Sequence, residues 1–136
     1  MTAAHDTALH QMSAGDLLAA YRSKSVSPVE ATRAVLANIR AWEPHLHATY
    51  ALEADEALAQ AEASQARWLK GAPLGPLDGV PVAWKDLFDL AGTTTTAGSD
   101  IYRTAPPASA DAAVVRNLAG AGLVSLGKVN LSEFAY

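Results

Sequence analysis

Two short apolar runs in the second half of the chain constrain its fold most. They are VPVAW at residues 80–84 and LVSLG at residues 123–127. Between them, Val114, Val115 and Leu118 recur at helical spacing, and glycines follow. A helix, a glycine turn and a short apolar strand in succession form the basic unit of α/β folds. The sequence therefore predicts an α/β fold.

The segments around these runs complete the predicted second half. We expect LFDLAG, residues 87–92, to form a further strand. Ser109 or Asp111 is expected to cap the helix that carries Val114, because short polar side chains accept from free backbone amides. Between these segments, TTTTAGSD at residues 93–100 is dense in small hydroxyl residues and is predicted to be an exposed loop, and APPASAD at residues 105–111 is predicted to be another loop.

One helix of the first half is defined by its end signals. Ser27 can serve as the N-cap, Pro28 occupies the first helical position, and Glu30 completes a capping box. Apolar residues then recur at helical spacing to Trp42, and Pro44 is expected to stop the helix. This segment predicts an amphipathic helix.

The composition changes at Gly71, where turn residues replace helix formers. Residues 1–12 are predicted to be a flexible tail, residues 13–70 a helical region, and residues 71–136 the start of an α/β core. Within the helical region we expect a short strand at 47–52 and a helix at 53–70. No repeat or linker divides the chain, which predicts one domain or part of one.

Composition and charge exclude several classes of partner. The 136 residues carry a net charge of −4 and show no run of Lys and Arg, which argues against nucleic-acid and membrane partners. There is no cysteine, so disulfides and thiolate nucleophiles are excluded. No signal peptide and no apolar stretch of about 20 residues is seen, and we predict a cytoplasmic protein.

Lys85 is the main candidate for chemistry. It follows five mostly apolar residues and precedes Asp86 and Asp89, so partial burial is expected. Burial favours the neutral amine, which can accept a proton from a hydroxyl nucleophile. The alternative is an ordinary lysine at a strand end, with its stem packed and its head in water.

Other candidate residues have simpler explanations. No Gly-x-Ser-x-Gly or Ser-x-x-Lys motif identifies a nucleophile. His45 and His47 could be half of a metal site, but a surface pair is expected. Trp42 and Trp68 are predicted to pack in the core. The hydroxyl candidates, by count alone, are Thr93, Thr94, Thr95, Thr96, Ser99 and Ser109. The acids expected on a solvated helix face are Glu53, Asp55, Glu56 and Glu62.

Several segments together resemble one family. GPLDGVPVAWKDLFDLAGTTTTAGS, followed by DAAVVRNLAGAGLVSLGKVNLSEFAY, has the order and spacing of the N-terminal part of the amidase signature hydrolases. The earlier helical segments are similar to that family's helical N-terminal region. The resemblance implies N-terminal helices and the first strands of a mixed sheet sandwiched between helices.

The resemblance also implies an activity: hydrolysis of the carbon–nitrogen bond of a small carboxamide by a Ser–cis-Ser–Lys triad. Lys85 stands at the position of the family's base, and Phe134 and Tyr136 would line the substrate pocket. No metal or organic cofactor is implied. The Gly/Ser-rich signature with both serines does not occur in these 136 residues. We therefore expect an incomplete domain that is inactive alone.

Two other interpretations stay open. The chain could belong to the A subunit of a tRNA-dependent glutamine amidotransferase, which releases ammonia from glutamine for a partner protein. Against this, SEFAY lacks the methionine expected there in such subunits. It could also be a non-catalytic fragment or interaction module. The partners to consider are a small amide substrate, a second copy in a homodimer, and amidotransferase subunits.

Overall fold

The structure is a computed structural model, and it describes residues 8–136. Its helices and strands alternate in the manner of α/β proteins, which confirms the predicted fold class. The helices are α1 (Ala14–Ser23), α2 (Pro28–Leu46), α3 (Ala54–Leu69) and α4 (Ala113–Gly120). The strands are β1 (Thr49–Leu52), β2 (Pro81–Lys85) and β3 (Val124–Val129). Three single-turn 3-10 helices span Leu9–Gln11, Asp100–Tyr102 and Glu133–Ala135.

The three strands form a mixed sheet in the order β1-β3-β2. The central strand β3 pairs antiparallel with β1 and parallel with β2. On one face of the sheet, α2 and α3 bury a cluster of Val29, Leu36, Ala57, Ala61, Val124 and Leu126. On the other face, Trp84 packs with Leu90 and with Val115 of α4. Helices thus cover both faces, as the resemblance implied.

The start of α2 is confirmed in detail. The Ser27 hydroxyl accepts from the Glu30 amide, and the Glu30 carboxylate accepts from the Ser27 amide at 2.8 Å, so the capping box is complete. The predicted stop at Pro44 is wrong, because α2 continues to Leu46. Pro44 lies in the last turn, where the loss of one amide donor interrupts little of the helix.

The two tryptophan predictions have opposite outcomes. Trp68 packs against the cluster of Leu17, Tyr21 and Ala31, and its ring lies 6.0 Å from that of Tyr21. Trp42, however, is 55% exposed, so the prediction that it packs in the core is wrong. The apolar stripe of α2 meets its neighbours through its first half, and Trp42 falls beyond that contact.

Two predictions after β2 are also wrong. Residues 87–92 form turns instead of a strand, because the Leu87 and Phe88 amides both donate to the Lys85 carbonyl and reverse the chain. The N-cap of α4 is Ala112, without a side-chain cap. Asp111 instead accepts from the Ala91 amide at 2.8 Å and holds this turn in place.

An ion pair with a buried carboxylate closes the turn that leads into β2. Arg67 of α3 donates twice to the Asp78 carboxylate, at 2.8 and 2.6 Å, and the Leu74 amide adds a third bond at 2.8 Å. Burial alone would raise the pKa of the Asp78 carboxyl, but these hydrogen bonds and the Arg67 charge hold it below its usual range.

The strand β3 contains a bulge next to its lysine. Two steps along β2, from Val82 to Trp84, match three steps along β3, from Ser125 to Lys128. Gly127 supplies the extra residue with φ 108, and a Cβ there would overlap the Ala51 carbonyl of β1. The bulge therefore requires glycine and places Lys128 opposite Trp84.

The N-terminal prediction falls partly outside the described residues. Residues 1–7 of the predicted tail are not described, whereas Leu9–Gln11 form a 3-10 helix and Met12 packs against the Leu17 cluster. Within residues 8–136, none of the helices combines the length and the apolar character needed to cross a bilayer.

Candidate active site

Lys85 is the last residue of β2, as predicted, but it is not buried. The alternation of the strand turns Trp84 and Asp86 inward and leaves Ala83 and Lys85 exposed. The expectation of partial burial is therefore wrong for the part of the chain that the structure describes. No side-chain hydrogen bond or ion pair engages the Lys85 ammonium within residues 8–136.

The buried lysine of this region is Lys128 of β3. Its side chain is 0% exposed, and its Nζ lies 2.8 Å from an oxygen of Asp86, whose side chain is 1% exposed. Nζ also donates to the Thr95 hydroxyl at 2.8 Å and to the Thr94 carbonyl at 3.1 Å. All three donors of the ammonium thus have an acceptor, and its charge is neutralised, which a buried lysine requires.

Asp86 is bound as completely as its partner. Its carboxylate accepts from the hydroxyl and the amide of Thr96, in addition to the ion pair. Its backbone amide donates to the Val129 carbonyl at 3.1 Å, and its carbonyl accepts from the Ala97 amide at 3.0 Å. The residue that follows Lys85 is therefore fixed by both its side chain and its backbone.

Sequence reasoning missed this role of Lys128. The predicted strand ended at Gly127, which left Lys128 outside the buried run. The structure continues β3 to Val129. The available signal was the apolar Val129 after the lysine, because a charged residue inside an apolar strand needs a partner of opposite charge if it is buried. Asp86, at the end of the adjacent strand, is that partner.

Ala97 connects Asp86 to residues 132–136, the Phe134 segment, which carries the two predicted substrate-binding residues. Its amide donates to the Asp86 carbonyl, and its carbonyl accepts from the Phe134 amide at 2.7 Å. The Ser99 hydroxyl also donates to Glu133 at 2.6 Å. Two hydrogen bonds through one residue thus bring the segment of Phe134 to the end of β2, next to Lys85.

The two predicted substrate-binding residues differ in their surroundings. Phe134 is 52% exposed, and its ring meets that of Tyr102 edge to face, with 6.1 Å between the centroids. Tyr136 is fully exposed, and its amide donates to the Glu133 carbonyl. The backbone of Phe134 is therefore held at the end of β2 that carries Lys85. The Tyr136 side chain is fully exposed and lines no pocket among the described residues.

A polar cleft of about 330 Å³ opens beside this region. Thr49 and Asn130 border it where β3 ends, and Thr96, Ser99 and Arg103 border it from the loop after β2. Ligands in open α/β sheets bind outside the carboxyl ends of the strands. The cleft lies at that end of β2 and β3, the same end that carries Lys85.

The remaining candidates have structural roles or none. The Thr93 and Thr94 hydroxyls donate to the Leu90 and Ala105 carbonyls, so they stabilise the loop. His45 and His47 are both exposed, and within residues 8–136 no three His, Cys, Asp or Glu side chains group as a metal site would need. Three of the four helix acids are exposed, and the fourth, Glu53, is half-buried.

Comparison with known proteins identifies the family. The amidase family model matches residues 30–136. The chain belongs to the amidase family. The predicted resemblance to the amidase signature hydrolases is thereby confirmed, and it rests on a match to most of the chain.

Individual relatives agree with this assignment. The chain is 47% identical to the A subunit of the Glutamyl-tRNA(Gln) amidotransferase of Thermobifida fusca (strain YX), over 95% of this chain and 26% of that protein. It is 48% identical to AtzE, the 1-carboxybiuret hydrolase subunit of Pseudomonas sp. (strain ADP), over 74% of this chain and 22% of that protein. The native peptide amidase from Stenotrophomonas maltophilia superposes with a TM-score of 0.77 at 33% identity, over 96% of this chain and 26% of that one. The chain spans about a quarter of the length of these relatives.

Proposed function

We propose that this amidase-family chain contributes the general base of an enzyme that hydrolyses the amide bond of a small carboxamide, and that Lys85 is that base. The observation that carries the proposal is the place of Lys85 in a family match over residues 30–136. Its position supports the role, because it is fixed at the carboxyl end of β2 while its amine stays accessible.

In the proposed reaction Lys85 acts through two serines of a Ser–cis-Ser–Lys triad. The Lys85 amine accepts a proton from the middle serine, which in turn accepts the proton of the attacking serine hydroxyl. The attacking oxygen forms a bond to the amide carbon, and the carbon–nitrogen bond breaks as the nitrogen leaves with a proton returned along the same path. Water then attacks the acyl-serine ester and gives a proton to the same base, which releases the carboxylic acid and regenerates the serine hydroxyl. This chain contains no Gly-Gly-Ser-Ser-Gly string, so the proposal assigns it only the base.

Phe134 and Tyr136 are proposed to line the substrate site. The connection of Phe134 through Ala97 to Asp86 supports the first assignment, because it ties the backbone of Phe134 to the residue that follows Lys85. Tyr136 is proposed on its place in the family pattern alone. We propose no metal or organic cofactor, because acyl transfer by a serine nucleophile needs none.

Replacing Lys85 tests the proposal. In the complete protein, Lys85→Ala should lower kcat about 10²- to 10⁴-fold, the usual contribution of a general base. Circular dichroism should show an unchanged fold, because Lys85 is exposed. Lys70→Ala is the matched control, since Lys70 is an exposed lysine that caps the C-terminus of α3. Turnover by Lys85→Ala at the rate of the control would remove Lys85 from the mechanism.

A second candidate function is favoured by one comparison. The 47% identity to the A subunit of an amidotransferase supports a role as the ammonia-releasing component of a glutamine amidotransferase. Its test is the hydrolysis of glutamine by the complete protein, with and without a partner protein that copurifies with it. Glutaminase activity that depends on the partner would favour this function, and hydrolysis of simple carboxamides without a partner would favour the first. A chain that reacts with neither substrate would support the non-catalytic interpretation.

A further inference from the structure

The lysine that the structure buries and the lysine that the proposed mechanism uses are different residues. Lys128 is 0% exposed, and the position of its ammonium is determined by three acceptors: Asp86, Thr94 and Thr95. Burying an ammonium is costly, and a well-packed apolar pair of similar size would serve stability equally well. Stability alone therefore does not explain why this position carries an ion pair.

The contacts of this pair lead directly to Lys85. Asp86 follows Lys85 in the chain, and four groups hold it: Lys128, Thr96, the Val129 carbonyl and the Ala97 amide. A residue bound on both sides leaves its neighbour little freedom in the backbone. The stem of Lys85 therefore starts from a fixed point, although its ammonium is exposed.

The same pair also reaches the segment of Phe134. Lys128 holds the loop through Thr94 and Thr95, and Asp86 holds it through Thr96, whose hydroxyl in turn accepts from the Gly98 amide. This loop carries the Ala97 carbonyl that binds the Phe134 amide. It also packs so closely on the segment that a Cβ at Gly98 would lie 2.6 Å from the Leu131 carbonyl oxygen.

We propose that Lys128 is a positioning residue, which acts through Asp86 and the loop of residues 94–97 to fix Lys85 and the Phe134 segment relative to each other. The inference rests on the proposed function, in which Lys85 is the base. Lys128 itself touches no reacting atom, because its three donors are used within the protein.

A structural role alone would give the same contacts, so the test needs a matched ion pair elsewhere. Arg67 and Asp78 form one at the other end of β2, with a fully buried carboxylate and a 2.6 Å contact. Lys128→Met and Arg67→Met each remove the cation of a buried aspartate. Only the first should change the site, while both should lower stability.

Two measurements on the complete protein separate the variants under conditions where both are folded. Lys128→Met should lower kcat at least about tenfold with a smaller change in KM, because misplacing a reacting group acts on the chemical step. The second measurement is the rate at which acetic anhydride modifies Lys85 relative to the exposed Lys70, read by peptide mass spectrometry. This labelling ratio should shift at least about twofold in Lys128→Met, because a changed environment alters the reactivity of the Lys85 amine. Arg67→Met should leave both quantities at the wild-type value.

The labelling ratio decides the inference. A ratio that changes in Lys128→Met and not in Arg67→Met supports it. A ratio unchanged in Lys128→Met, or changed equally in Arg67→Met, overturns it. The labelling does not depend on activity, so its outcome is separate from that of Lys85→Ala: an active Lys85→Ala enzyme with a shifted ratio in Lys128→Met would overturn the base assignment and keep the positioning role.

A milder pair of variants serves if Lys128→Met does not fold. Thr96→Val keeps the shape of the side chain and removes the hydroxyl that donates to Asp86, whereas Thr96→Ser keeps it. We expect Thr96→Val to shift the labelling ratio of Lys85, and Thr96→Ser to leave it at the wild-type value. Equal ratios in the two variants and the wild type would overturn the inference.

Discussion

The two ends of β2 are closed in the same way but with different access to water. At the start, Asp78 pairs with Arg67, whose side chain is 27% exposed. At the end, Asp86 pairs with Lys128, whose side chain is 0% exposed. Each aspartate is buried, and each also accepts from backbone amides of a nearby loop. Near each end of the strand, a buried carboxylate is thus paired with one cation.

The difference lies in what each pair is next to. The Arg67 guanidinium reaches water, so its charge keeps part of its hydration, and the turn that it closes leads only into the strand. The Lys128 side chain is fully buried, and the residue beside its partner is Lys85. The more costly pair stands at the candidate site, which is where preorganisation has a use.

The largest loss of stability is expected when the ion pair between Asp86 and Lys128, at the end of β2, is broken. Asp86→Ala leaves the Lys128 ammonium buried without its counter-ion, which costs about 3–5 kcal/mol. Urea unfolding of the complete protein should show this loss as a lower midpoint. Glu62→Ala, at an exposed position in the middle of α3, is the control and should change little. A loss below about 1 kcal/mol, the level of a surface pair, would show that water reaches Lys128.

The next effect concerns the bulge that brings Lys128 to Asp86. Gly127→Ala places a Cβ on the Ala51 carbonyl and also strains a φ of 108, so a loss of about 3 kcal/mol is expected. Gly92→Ala is a matched control, because Gly92 has a φ of 84 but nothing within 4 Å of the added carbon. It should show the strain alone, about 1–2 kcal/mol. Equal losses in thermal unfolding would mean that the close approach to Ala51 is not a constraint.

Breaking the ion pair between Arg67 and Asp78, at the start of β2, should destabilise the protein less. Arg67→Met removes two hydrogen bonds from Asp78 but leaves the Leu74 amide and a route for water, so we expect a loss of about 2 kcal/mol. Arg67→Lys keeps the charge without the paired geometry and should recover part of it. Differential scanning calorimetry measures both. A loss larger than that of Asp86→Ala would reverse the order of the two ends.

The sequence predicted the elements whose signals are local. The capping box of Ser27 and Glu30 and the strand that ends at Lys85 depend on neighbouring residues, and the structure has them as predicted. Trp42 was misplaced because helical spacing defines a stripe but not how far the facing elements extend along it. Residues 87–92 were misplaced because an apolar run of that length suits a turn packed on the core as well as a strand.

The candidate site was harder to predict because its contacts are distant in the chain. The apolar residues before Lys85 indicated burial, but the alternation of β2 gives the buried side to Trp84. The pairing of Asp86 with Lys128 joins residues of two strands, and it depends on a bulge whose position no local pattern shows. A resemblance carries a residue's position into a new sequence, whereas its surroundings have to come from the structure.

The smallest expected effect is a pH dependence of the unfolding free energy, which Asp78 at the start of β2 should cause. Since the pKa of Asp78 is lowered in the folded protein, its carboxylate stabilises the fold above about pH 4, the usual pKa of an aspartate, and this contribution is lost as the pH falls through the lowered value. Asp78→Asn cannot titrate there. The difference in unfolding free energy between wild type and Asp78→Asn should therefore be constant near neutral pH and shrink in acid. Urea unfolding at a series of pH values measures it, and Asp55→Asn, at an exposed position of α3, is the control. A difference that grew in acid would mean that the folded protein prefers the protonated carboxyl, and that burial outweighs the Arg67 pair.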